Sequence, residues 1–143
     1  MKTILFHLAI VIMVAGFAPA CSKPANKGTK ENGLAGTWQW IRTDGGIAFH
    51  IHDTPLSTGK NVDLKITADG KYFLYTNGSL SSEGTYLLET RKCIHDNADK
   101  TFIRFSSFSD FMVEKLDQDS LELSDEAYDG VGSLYKRKQL NGN

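Results

Sequence analysis

From Leu34 onward the chain alternates apolar and polar side chains with a period of two, and turn-forming residues interrupt the pattern every eight to twelve positions. No long stretch carries apolar residues at i, i+3, i+4 and i+7, so short strands are expected instead of amphipathic helices. Gly36 to Arg42 puts Trp38 and Trp40 on one face. Val62, Leu64 and Ile66 alternate with Asp63, Lys65 and Thr67, the pattern of a half-buried strand. Ala68-Asp69-Gly70 turns the chain into a strand over Lys71 to Thr76, with aromatics on both faces. Asn77-Gly78 is a two-residue hairpin signal, because both residues tolerate positive φ. The next strand runs to about Glu89, with Gly84 marking a bend. Thr101 to Ser106, Phe111 to Leu116, Ser120 to Ser124 and Gly132 to Lys138 complete a set of eight strands in about 105 residues. A two-sheet sandwich and a closed barrel both bury one face of such a set. An open meander leaves two unpaired edges and closure removes both, which favours an all-β, eight-stranded up-and-down antiparallel barrel.

The barrel does not begin at Met1. Lys2 supplies a minimal positive start, and Ile4 to Phe17 is apolar apart from His7. Fourteen residues at ~1.5 Å each reach ~21 Å, short of the ~30 Å hydrocarbon core, so residues 1–20 read as a secretory signal and not a membrane span. Ala18-Pro19-Ala20 fits ordinary signal-peptide cleavage, and Ala20-Cys21 resembles a bacterial lipobox in which Cys21 is lipidated. Ser22 to Gly33 has one alanine and no larger apolar side chain, so residues 21–33 read as a flexible polar tether and 34–143 as the folded domain. The expected product is exported. It is either lipid-anchored to the cell envelope, at the outer membrane or in the periplasm, or soluble and secreted.

Residues 1–20 carry one lysine and no acid, so the mature chain has 15 basic against 17 acidic side chains, a charge of −2. That balance argues against nucleic acid as a partner, which needs a basic surface. Two cysteines exclude a disulfide-rich scaffold. A lipid on Cys21 leaves Cys93 without a disulfide partner in the chain, whereas a free Cys21 leaves that bond open.

Leu34-Ala35-Gly36-Thr37-Trp38 resembles the Gly-x-Trp opening of the lipocalin (calycin) superfamily. With Asp69-Gly70-Lys71-Tyr72, Glu83-Gly84-Thr85-Tyr86 and Leu121-x-Leu123, the stretch from Leu34 to Lys138 is similar to small lipocalin-like lipoproteins of Bacteroidota-type bacteria. The resemblance implies a structural signature of Gly36, Trp38 and Arg137, in which the tryptophan plugs the closed end and the arginine packs across it. It also implies a small hydrophobic ligand inside the barrel and a long first loop over the mouth. At about 105 residues the domain is shorter than typical lipocalins.

The candidate ligand contacts are Trp40, Tyr72, Leu74, Tyr86, Phe102 and Arg104, if these face inward, with Leu88 and Met112 as further linings. An inward Arg104 requires a carboxylate partner, and an outward one is merely solvated. Thr43 to Lys60 is a long connection for a hairpin protein, and its Ile47, Phe49 and Ile51 form either the underside of a lid or an extra edge strand or flap that buries them against the core. His50 and His52 share a face if they stand in a strand, and with His95 they are weak metal candidates. No nucleophile elbow, phosphate loop or metalloprotease motif is present, so neither catalysis nor a cofactor is expected. A hollow interior above ~300 Å³ favours a ligand. A filled one with exposed aromatics favours a protein partner in the envelope.

Overall fold

The structure, a computed structural model, describes residues 31–139. The leader over residues 1–20, Cys21 and the tether as far as Lys30 lie outside the described residues. The folded part starts slightly before the expected boundary, because Glu31–Leu34 forms one helical turn, α1. Leu34 is fully buried there, and its carbonyl accepts a 2.8 Å hydrogen bond from Trp38 Nε1.

The strands are β1 (Gly36–Gly45), β2 (Ile51–Asp53), β3 (Val62–Ile66), β4 (Lys71–Thr76), β5 (Ser79–Lys92), β6 (Asp99–Phe105), β7 (Asp110–Leu116), β8 (Ser120–Ser124) and β9 (Val131–Arg137). All but β2 pair antiparallel in chain order, and β9 pairs back onto β1, closing an eight-stranded barrel of lipocalin-like form. β2 is an addition that pairs only with the end of β1.

At the seam, Trp38 stands directly opposite Arg137. The guanidinium carbon lies 4.0 Å from the centroid of the indole ring. The same group donates to the carbonyls of Gly33, Ala35 and Gln118, so one side chain ties α1, β1 and the β7–β8 turn to β9. A cation on an indole face contributes ~0.5–2 kcal/mol.

The register determines what faces inward. Trp38 pairs with Leu64, Leu64 with Leu74 and Ile66 with Tyr72. Leu88 pairs with Ile103, Ile103 with Phe111, and Leu121 with Tyr135. These residues belong to one continuous core cluster, so side chains fill the barrel. Phe105 anchors its aromatic part, 4.9 Å from Tyr72 and 4.5 Å from Phe108 between ring centroids.

β5 runs fourteen residues because it serves two neighbours, pairing with β4 up to Thr85 and with β6 from Tyr86. Gly84 sits at that junction. A Cβ there would lie 2.2 Å from Ser106 Oγ and 3.0 Å from the Tyr72 ring, so the crowding at the bend excludes a side chain. Asn77 and Gly78 turn the β4–β5 hairpin at φ 51° and 81°.

Candidate functional site

Three β-bulges interrupt the register, with Ile41, Ser81 and Glu114 as the extra residues. A bulge shifts which side chains face outward beyond it. Strict alternation would keep Arg42 on the inward face with Trp38 and Trp40. The bulge at Ile41 turns Arg42 and Asp44 outward and brings Thr43 inward. Thr43 Oγ1 then accepts from Trp40 Nε1 at 2.9 Å and meets Ser133 Oγ at 2.7 Å. On β7, Glu114 faces outward beside Glu122 of β8, and the bulge there turns Lys115 outward and Leu116 inward; Ser124 Oγ donates to Glu114 at 2.8 Å.

Arg42, Asp44, Glu114 and Glu122 line a groove of about 410 Å³. Met112, Leu134 and Gly132 contribute to its floor, and Phe49, Tyr128 and His95 stand along its rim. A Cβ added at Gly132 would meet nothing within 4 Å, so the floor is open there. The groove therefore lies across the outer faces of β7, β8, β9 and the end of β1, outside the filled interior. Glycines bring its walls together. Gly46 N–H donates to Gly130 O at 3.0 Å, and a Cβ on Gly45 would lie 2.3 Å from that same oxygen.

The loop between β8 and β9 is pinned from the other side. Glu126 accepts from the Arg91 guanidinium and from the Ile94 N–H. The Arg91 guanidinium carbon lies 3.7 Å from the Phe102 ring centroid, over a small outer core of Cys93, Phe102 and Met112. His95 meets Tyr128 edge-on at 5.3 Å, which fixes part of the rim. Within the groove, Arg42 Nε holds Asp44 Oδ2 at 2.6 Å, and His52 Nδ1 lies 3.0 Å from Asp44 Oδ1. The hydrogen bond from His52, with Arg42 beside it, holds the Asp44 carboxyl below the usual carboxylate range.

Of the expected ligand contacts, Trp40, Tyr72, Leu74 and Tyr86 do share the inward face, where they belong to or flank packed core. Phe102 and Arg104 do not. Their neighbours Ile103 and Phe105 take the inward positions, so Phe102 packs in the outer core and Arg104 bridges Glu89 (2.9 Å) and Asp110 (3.1 Å) on the exterior. Met112 also faces outward. The Thr43–Lys60 segment is not a sealed lid; it supplies an extra edge strand, β2, but does not bury Ile47 and Phe49. A three-residue helical turn, Ile47–Phe49, holds Ala48 and Phe49 at φ 58° and 53°, and leaves Ile47 and Phe49 69% and 73% exposed. β2 then returns along β1, with Ile51 half-buried opposite Gly45. A capped turn, α2 (Pro55–Thr58), leads to β3.

The histidines also separate. His50 precedes β2 and contacts the Ile47 carbonyl, so the strand rule that would align it with His52 does not apply. His52 binds Asp44 and His95 packs on Tyr128. Among the described residues no group of three His, Cys, Asp or Glu side chains is arranged to hold a metal. Among the described residues Cys93 is buried and has no disulfide partner.

Arg42, Asp44, Glu114, Glu122 and Tyr128 were not legible as site residues, because bulges and the folding back of a loop bring them together. The available signals were the glycines of Gly45-Gly46 and Gly130-Val131-Gly132, which mark close backbone approach. In comparisons with known proteins, no family model, no curated protein and no solved structure matches this chain.

Proposed function

We propose that this protein is a binding module of the cell envelope and not an enzyme, exported and held at the membrane by a lipid on Cys21, with the barrel as scaffold and the outer groove as binding surface. The observation that carries the reading is the contrast between the two candidate spaces. Core side chains occupy the interior, whereas the outer groove has about 410 Å³ of free volume, within the range of small-molecule sites. Two of the three bulges lie on its walls, and bulges next to sites commonly aim functional side chains. A small, largely apolar molecule in the barrel itself would have to displace that core.

Native mass spectrometry of the protein purified from its own membrane tests this. The expected spectrum shows a diacylglyceryl mass on Cys21 and a retained small molecule that disappears in Gly132→Phe, which fills the groove floor without touching the core. A molecule retained equally by that variant would move the site elsewhere, and an unmodified Cys21 would remove the anchor. A second reading, docking of an envelope protein, rests on Ile47, Phe49 and Leu56, which stand 69%, 73% and 95% exposed on one connection. It predicts a stoichiometric protein partner that leaves on Phe49→Ser and Leu56→Ser together.

A further inference from the structure

We infer that the outer groove takes an amphipathic organic cation, a protonated amine carried on a compact apolar or aromatic body. This deepens the groove reading and rests on it. The cavity and its aromatic rim argue for a ligand, and the charges on its walls decide which kind.

Four carboxylates line it, Asp44, Glu114, Glu122 and Asp125, against one guanidinium, that of Arg42. Arg42 is committed to Asp44 at 2.6 Å, so their charges cancel locally. Asp125, at the edge, is occupied by the backbone N–H groups of Ala127 and Val131. Among the described residues, neither Glu114 nor Glu122 forms an ion pair; Glu114 accepts only the hydroxyl of Ser124. Neighbouring Lys115, next to Glu114 in sequence and opposite Glu122 across the strands, is instead drawn to Asp117 at 3.3 Å. Two uncompensated acids on adjacent strands thus face one concavity.

The remaining surface suits the ligand's body. Met112 and Leu134 give an apolar floor beside the open position at Gly132, and Met adapts to irregular shapes. Phe49 and Tyr128 stand 73% and 83% exposed on the rim, and aromatic faces attract cations. An anionic ligand would meet Glu114 and Glu122 at close range, and a neutral one would leave them without a counterion. The size of the groove favours a small molecule over a protein surface, since specific protein interfaces bury ~800 Å² on each partner.

The test uses the full mature chain and three probes with one body: 2-phenylethylamine, 2-phenylethanol and phenylacetate, followed through backbone amide shifts. The expected result is that the amine perturbs Ser124, Tyr128 and Gly132 and binds at least tenfold more tightly than the alcohol or the acid. The paired variant Glu114→Gln/Glu122→Gln, which removes charge at constant shape, should abolish that preference while leaving the remaining spectrum unchanged. Equal binding of alcohol and amine at those residues overturns the cation inference and leaves the groove reading intact. The same holds if no probe binds while the natively retained molecule still disappears in Gly132→Phe. Probe shifts and retained molecule both unaffected by Gly132→Phe overturn the two together.

Discussion

Arg137→Ala removes a cation from the face of Trp38 and leaves the carbonyls of Gly33, Ala35 and Gln118 without their shared donor. Hydrogen bonds to a charged group contribute ~1.5–3 kcal/mol and a cation–π contact ~0.5–2 kcal/mol. The donated bonds act as one unit, so a loss of about 2–4 kcal/mol is expected in urea unfolding. Lysine at this position should recover less than half, because it lacks the planar fork that reaches several carbonyls at once. Tyr135 carries a second residue-level consequence. Burial pushes its hydroxyl up to about 12, against a smaller lowering by its hydrogen bond to Ser133. The folded protein thus keeps this proton after the unfolded chain, near pH 10, has lost its own. The associated stability is complete below pH ~10 and declines toward pH ~12 by at most ~1.4 kcal/mol per pH unit. Tyr135→Phe should abolish that alkaline slope in denaturation midpoints measured between pH 9 and 11.

Among the elements, β5 carries a local constraint at Gly84. Gly84→Ala places a methyl against Ser106 Oγ and the Tyr72 ring, and a cost of about 1–3 kcal/mol in thermal unfolding is expected. Pairing it with Ser106→Ala should recover part of the loss, since Ser106 Oγ is the nearer obstacle. This is also the scale at which the sequence was most and least informative. The eight barrel strands were legible because each has a buried face, and burial imposes alternation on the residues themselves. The bend at Gly84, the Asn77-Gly78 hairpin and the Trp38–Arg137 seam were legible for similar local reasons. β2 was legible only as one alternative, an extra edge strand within Thr43–Lys60, because three residues opposite the end of β1 need no buried face to pair. The assignment of Phe102 and Arg104 to the interior failed because the Phe102–Phe105 run has apolar groups on both faces, and Cys93, Met112 and the Arg91 guanidinium make Phe102 part of a second core. The groove was invisible for a different reason. Asp44 is outward because the extra residue at Ile41 breaks the register, and a bulge leaves no compositional trace; Glu114 and Glu122 are outward by plain alternation, but nothing local shows that β1 and the β8–β9 loop close a groove over them.

For the molecule as a whole, the arrangement separates stability from recognition. The interior is spent on closing the barrel, and the outer groove is built from bulges and loops that tolerate change without opening the core. Gly132→Phe is accordingly expected to keep the wild-type melting temperature while losing ligand. The closing seam has one more consequence. Lys138 N–H donates to Thr37 O at 2.7 Å, and Arg137 reaches back to Gly33, so the two extremities of the described chain meet side by side. Such proximity permits circular permutation. Joining Gln139 to Glu31 through about six glycine and serine residues, and cutting between Asn77 and Gly78, should give a connectivity that begins in β5 and ends in β4 yet shows the same far-ultraviolet spectrum.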